Sequence, residues 1–176
     1  VMKPDPRNPV KAENPWFPNA SALLAPNYKP DAYANPTVKA EGRVLRPRVE
    51  SKYLQQTRRT IVYTPKDYEN QALPTVYVQD GVAYYRIAKL AEVLEHLLQK
   101  SLIRPAHFVF IEPIDRHVEY RFNPAYRAFM IDELLPLIDK ELQTASERIA
   151  MGASLGGLMS ATLALEHPDL FQTVVA

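Results

Sequence analysis

Apolar and polar residues alternate with a period of two from Arg43 to Tyr53 and again from Arg58 to Thr64. Two strands are predicted there, and the short stretch Leu54 to Thr57 between them makes an antiparallel hairpin or meander the expected pairing. Thr75 to Val78 is a compact apolar run followed by Asp80-Gly81, the pattern of a buried strand that ends in a turn. The period then lengthens. Ile87, Leu90, Ala91, Leu94, Leu97 and Leu98 recur at helical spacing, which predicts an amphipathic helix of about four turns. Phe108 to Ile111 reads as another short strand, stopped by Pro113. A second helical stretch runs from Tyr126 to Leu142, where Pro136 should kink or split it because the ring removes a helical donor. The strand Arg148 to Met151 comes next, then Gly152 to Gly157, a helix reaching Glu166 that His167-Pro168 stops, and an apolar run from Phe171.

Strands alternating with helices after an opening hairpin predict the α/β class, a mostly parallel sheet with helices on both faces and three layers in all. Before residue 41 the pattern is different. Nine of the sixteen prolines lie in the first 50 residues. Pro4, Pro6, Pro9, Pro15, Pro18, Pro26, Pro30 and Pro36 fix φ and push each preceding residue extended. Residues 1–40 are therefore expected to form an irregular arm or linker, and residues 41–176 the folded domain. Trp16, Phe17, Tyr28 and Tyr33 would lay the arm against a folded surface.

Composition and charge narrow the function classes. With 21 Lys+Arg against 20 Asp+Glu the formal net charge is +1, so no basic stripe points to nucleic acid. At 47% apolar and 23% charged residues the chain is neither disordered nor a coiled coil by composition, and 176 residues suit one domain with a real core. The absence of cysteine excludes a disulfide scaffold, a thiolate zinc site and a cysteine nucleophile. No apolar run is long enough for a membrane helix, and the N-terminal region lacks the order of a secretory signal. The expectation is a cytoplasmic protein with no membrane or nucleic-acid partner, periplasmic or secreted placement staying open.

The chemistry concentrates at Gly152-Ala153-Ser154-Leu155-Gly156-Gly157. Between a strand and a helix this is the G-x-S-x-G nucleophile elbow, a sharp turn that holds the serine strained with its hydroxyl exposed. Gly152 and Gly156 sit where strand and helix approach, so a side chain at either would force them apart. An incidental serine in a glycine-rich turn is the competing reading. The placement of glycine weighs against it: of five in the chain, four are Gly81, Gly152, Gly156 and Gly157, so backbone freedom is expected at two strand ends. The helix after Ser154 offers free amides and a positive dipole end to an oxyanion, the N–H of Leu155 being one candidate donor. Asp80-Gly81-Val82 lies at the same edge of an open sheet, which makes the N–H of Val82 the candidate second donor. A plain Asp-Gly turn is the alternative there.

Taken in order, Val76-Tyr77-Val78-Gln79-Asp80-Gly81, Asp115-Arg116-His117-Val118-Glu119-Tyr120, Gly152 to Gly157 and His167-Pro168-Asp169-Leu170-Phe171 resemble the putative esterase family of α/β-hydrolases. Enterochelin (ferric-siderophore) esterases are nearest in this pattern, with mycolyltransferases of the antigen 85 type and feruloyl esterases further off. The resemblance covers residues 43–176. It implies an α/β-hydrolase-like three-layer sandwich and a serine carboxylic-ester hydrolase that forms an acyl-enzyme at Ser154. Val82 and Leu155 would be its oxyanion amides, a small-molecule ester its substrate, with Asp80, Gly81 and Arg116 as candidate contacts, and no cofactor. Residues 1–40 are similar to the segment that joins a small β-sandwich to the catalytic domain. An acyltransferase of the same fold and a catalytically inactive binding module are the alternatives.

In that family the triad runs serine, acid, histidine, with both partners well downstream of the serine. Only 22 residues follow Ser154. The domain is thus expected to be truncated after the elbow helix, with the acid and histidine beyond Ala176 and little esterase activity in these residues alone. His167 ends the elbow helix, about 20 Å from Ser154 at 1.5 Å per residue, and suits a helix C-terminus. His96 reads as a solvent-facing partner of Glu92, and His107 lies at the amino end of its strand. His117 is at the carboxyl edge, where Arg116, Glu119 and Tyr120 are expected to anchor the loop through an ion pair. No metal site is expected: Asp132-Glu133 and Asp139 to Glu141 read as solvated helix charges, and Arg43, Arg46, Arg48, Arg58 and Arg59 as guards of sheet edges.

Overall fold

The computed structural model describes residues 3–12, 19–31, 33 and 36–176. Its strands are β1 (Arg43–Leu45), β2 (Arg48–Ser51), β3 (Gln56–Thr64), β4 (Leu73–Gln79), β5 (His107–Ile111), β6 (Thr144–Met151) and β7 (Thr173–Val175). Its α-helices are α1 (Leu90–Gln99), α2 (Arg116–Glu119), α3 (Pro124–Ala128), α4 (Leu135–Glu141) and α5 (Leu155–Glu166). The strands make one sheet in the order β1-β3-β5-β4-β6-β7, with β2 also on β3. The predicted hairpin is there: β1 and β2 pair antiparallel with β3 in a single register, Arg43 with Thr64 and Arg48 with Arg59. Pro47, which has no donor, falls in the gap between β1 and β2. β3 also runs antiparallel to β5, while β5, β4, β6 and β7 are mutually parallel. The sheet is therefore mixed, its parallel part carrying the edge where the site lies.

Side-chain alternation on the central strands builds the three layers. Val76 and Val78 of β4 join Phe108 and Phe110 of β5 and Tyr63 of β3 in one cluster under Ala91 and Leu94 of α1. Tyr77 of β4, Val109 and Ile111 of β5 and Ala150 of β6 belong to the other, which Tyr126, Phe129, Met130, Leu134, Ile138, Met159 and Leu163 cover from the opposite face. Nearly every β4 residue is buried, as a strand packed on both faces requires.

Local chemistry adjusts the helices. Ile87 belongs to a separate π-helical turn, Ala83–Ile87. Lys89, at a left-handed φ of 49°, breaks the chain before α1 begins at Leu90, so the single long helix predicted from Ile87 is two pieces. The Tyr126 to Leu142 helix is split as Pro136 requires: a π-helical segment, Phe129–Leu134, precedes α4, and the proline sits in the first turn of α4, where a missing N–H costs nothing. Asn123 caps α3 by accepting from the N–H groups of Ala125 and Tyr126, and Asp115 caps α2 by accepting from those of His117 and Val118.

Among the described residues before Arg43 the backbone is irregular, with turns and a single bridge between Lys11 and Ser21. Of the two described aromatic residues expected to hold the arm, Tyr33 meets His96 edge-on at 5.6 Å, whereas Tyr28 is largely exposed. Trp16 and Phe17 lie outside the described residues.

Three polar side chains are more deeply used than their pattern implies. Arg58, expected at a guarded edge, is 3% exposed and pairs with Glu119 at 2.5 Å. Asp139, expected to be solvated, pairs with Arg148 at 2.7 Å and accepts from Thr144. His107 is buried, with Nε2 3.1 Å from the carbonyl of Gln143 and Nδ1 2.8 Å from Thr64 Oγ1. A carbonyl only accepts, so Nε2 carries the proton and Thr64 donates to Nδ1. Burial, only partly offset by the Gln143 bond, lowers the His107 pKa below its ordinary value.

The unfolded chain then binds a proton near pH 6.5 that the folded one resists. Stability is retained above that pH and falls as pH drops through it, by at most about 1.4 kcal/mol per unit for one proton. Urea midpoints measured at pH 7 and pH 5.5 should fall less for His107→Gln than for the parent. An equal fall in both would show that His107 does not set this dependence.

Candidate active site

Three neighbouring strands deliver the site. Because β5, β4 and β6 are parallel, with Gln79 beside Ile111 and Val78 beside Met151, their carboxyl ends leave Glu112, Asp80-Gly81-Val82 and Gly152-Ala153-Ser154 along one edge.

At the end of β6 the chain turns into α5 through Ser154, whose φ of 56° and ψ of −120° lie outside the helical and extended regions. Such a backbone on a non-glycine residue costs about 1–3 kcal/mol and persists only where the surroundings enforce it. They do so by proximity. A Cβ on Gly152 would lie 2.5 Å from the carbonyl carbon and oxygen of Gly156, so strand and helix touch backbone to backbone. Ser154 is exposed while Gly152, Gly156 and Gly157 are buried. Leu155 opens α5, so its N–H is among the first donors that the helix leaves unpaired.

The second turn is built as tightly. Asp80 has a φ of 55°, and a Cβ on Gly81 would lie 2.4 Å from the backbone of Phe110 and Ile111. Asp80 is 3% exposed. Its N–H donates to Tyr120 Oη at 2.8 Å, and its carboxylate takes both Nε (3.1 Å) and Nη2 (2.9 Å) of Arg116. Gly156 packs on this turn, an added Cβ lying 3.0 Å from Asp80 Oδ2, so the two turns adjoin. Arg116, a candidate substrate contact, is thus committed to holding Asp80, in keeping with its expected anchoring role. Glu119 completes that anchor through Arg58. Tyr126 donates to Gln79 Oε1 at 2.7 Å beneath it.

The N–H of Val82 does not face open space: it donates to Glu112 Oε2 at 2.9 Å. Tyr120, expected in the loop anchor, holds Asp80, whereas Glu112 is a site residue that the sequence pattern does not mark, although it follows directly on the apolar run of β5, one strand from Asp80. Loss of surrounding water raises the Glu112 pKa above the ordinary carboxylate range, with the Asp80 charge adding, against the Val82 hydrogen bond, Arg116 and Arg86, which lower it.

None of the four histidines is hydrogen-bonded to Ser154 among the described residues. His107 is at the far edge of the sheet. His96 is half-buried against Tyr33 instead of facing solvent. His167 closes α5, its N–H donating to the Leu163 carbonyl at 2.9 Å, and His117 is exposed on α2. No cluster of His, Asp or Glu among the described residues could hold a metal ion, and no helix is long and apolar enough to cross a membrane.

Residues 51–176 match the family model described as Putative esterase. The chain belongs to this esterase family. Two Bacillus subtilis (strain 168) proteins are similar in sequence: YjcH is 28% identical over 145 residues, covering 76% of this chain and 60% of YjcH. YbbA is 30% identical over 135 residues, covering 65% and 53%. Among solved structures, the enterochelin esterase of Shigella flexneri superposes with a TM-score of 0.79 at 25% identity, over 97% of this chain and 44% of that one. The same organism's enterobactin esterase has been solved in the presence of enterobactin. An IroE-like serine hydrolase from Shewanella oneidensis gives 0.66 at 25% identity, over 75% and 49%. The chain spans 60% or less of each of these relatives. The α/β-hydrolase-like fold expected of an esterase-family chain is the fold observed.

Proposed function

We propose that the whole protein is a serine carboxylic-ester hydrolase in which Ser154 attacks the ester carbonyl. The observation that carries this reading is the Ser154 backbone, strained at φ 56° and ψ −120° while the side chain stays exposed at the head of α5. Strain of this kind in a family of esterases is what an elbow needs to hold a hydroxyl clear of its own helix. The N–H of Leu155 and the N–H of Val82 would stabilise the oxyanion, and Arg116 and Tyr120 would act on Val82 indirectly, by fixing Asp80. A serine hydroxyl is a weak nucleophile without a base. Since none of the described histidines bonds to Ser154, we assign the base and its acid to residues of the whole protein other than these. Residues 1–40 would be an arm attached to the catalytic domain.

In the reaction, the base takes the Ser154 proton as Oγ bonds to the carbonyl carbon. Collapse of the tetrahedral intermediate expels the alcohol, which receives that proton, and water then repeats the sequence to free the acid. The substrate class we infer is a small-molecule ester, in line with the enterobactin esterase among the structural relatives. The whole protein mixed with a short p-nitrophenyl ester should release a burst of p-nitrophenol matching the enzyme concentration before the slower steady state. Absence of any ester turnover would leave a catalytically inactive module as the better reading.

A further inference from the structure

We propose that the Glu112 carboxylate is a built-in occupant of the oxyanion site, holding the Val82 N–H until a substrate carbonyl displaces it. The inference rests on the reading of Ser154 as nucleophile and Val82 as an oxyanion donor. A backbone amide has one hydrogen, and that of Val82 is already directed at Glu112 Oε2, 2.9 Å away. An ester oxygen that used the same donor would need to come within about 2.7–3.1 Å of the nitrogen, which is where the carboxylate oxygen now sits. The two acceptors resemble each other chemically, since a carboxylate and a tetrahedral oxyanion are both anionic oxygens. The free protein thereby keeps the donor paired and the turn in its working shape.

The occupant is built to leave. Glu112 is the residue after β5, exposed overall, and its backbone is held separately because its carbonyl accepts from Arg58 Nη1 at 3.3 Å. Its side chain can rotate away without disturbing the sheet. The charged groups that act on it are Asp80, which repels it, and Arg116 and Arg86, which draw it in. Arg116 gives two hydrogen bonds to Asp80, while the Val82 amide gives the Glu112 carboxylate a direct hydrogen bond. A competing role is that of a cap on the π-helical turn that follows Val82. Such a cap would stabilise the fold without opposing substrate.

The two roles separate in the rate at which a fluorophosphonate, whose phosphoryl oxygen needs the same amides, labels the whole protein. Glu112→Ala should react about five- to tenfold faster than the parent, the scale of one displaced hydrogen bond. Glu112→Gln, whose neutral amide is a weaker acceptor, should fall between. For a p-nitrophenyl ester the gain should appear as a lower KM with kcat within about twofold, as expected when a fraction of sites is self-occupied. Labelling of both variants at or below the parent rate would overturn the inference alone and leave Glu112 as a cap. No labelling of any of the three proteins would remove the nucleophile reading, and this inference with it.

Discussion

Replacing Ser154 by alanine should lower kcat for ester turnover by the whole protein about 10^4-fold or more, as loss of a catalytic nucleophile does elsewhere. The fold should survive, because the hydroxyl is exposed and α5 takes no side-chain cap from Ser154. Alanine inherits the same backbone strain, so its melting temperature should match the parent. Ser154→Gly, which relaxes a φ of 56°, should also be inactive yet more stable by about 1 kcal/mol. Steady-state kinetics and thermal melts on the three proteins check both halves. An alanine variant that keeps a hundredth of the parent activity would exclude Ser154 as the nucleophile.

A comparably large effect on stability is expected at Gly152. A methyl there would lie 2.5 Å from backbone atoms of Gly156, and backbone has no rotamer with which to yield. Forcing β6 and α5 apart should cost Gly152→Ala about 1–3 kcal/mol or more. That corresponds to a fall of about 2–4 °C in melting temperature per kcal/mol for a domain of this size. Displacement of Leu155 and the turn should cost activity as well. Gly157 is the internal control. An added Cβ there meets the Gly152 carbonyl oxygen at 3.2 Å and Ala176 at 3.3 Å, a contact that small shifts relieve. The higher helix propensity of alanine offsets part of the cost, about 1 kcal/mol in its favour, so Gly157→Ala should melt close to the parent. Equal losses at the two positions would mean that the close approach at Gly152 does not set the elbow.

Periodicity made the order of elements legible, and chemistry hid part of the site. Alternation along Arg43–Thr64 revealed the hairpin, and the apolar runs at β4, β5 and β6 marked strands that polar or partly exposed residues such as Thr144 to Glu147 extend at their ends. Lys89 shows why the first helix was over-long: a left-handed break leaves no trace in a pattern of apolar spacing. The spacing of glycine and serine marked the tight strand-to-helix turn at Ser154, but the expected role of glycine was only half right. No glycine in the chain has a positive φ; Asp80 and Ser154 do. The glycines are there for space, and at these two turns the positive φ falls on Asp80 and Ser154 instead. The role of Glu112, and Arg58 as the ion-pair partner of Glu119, were hidden because a charge at a strand end looks the same in sequence whether it meets water, a backbone amide or a buried opposite charge.

The most direct measurement is the mass of the Ser154-containing peptide after the whole protein has been treated with a fluorophosphonate and digested. The expected result is a single phosphonyl adduct on Ser154, absent after prior denaturation and absent from Ser154→Ala. An unmodified Ser154 peptide, or an adduct on another residue that persists in Ser154→Ala, would contradict the assignment of this serine as an activated nucleophile.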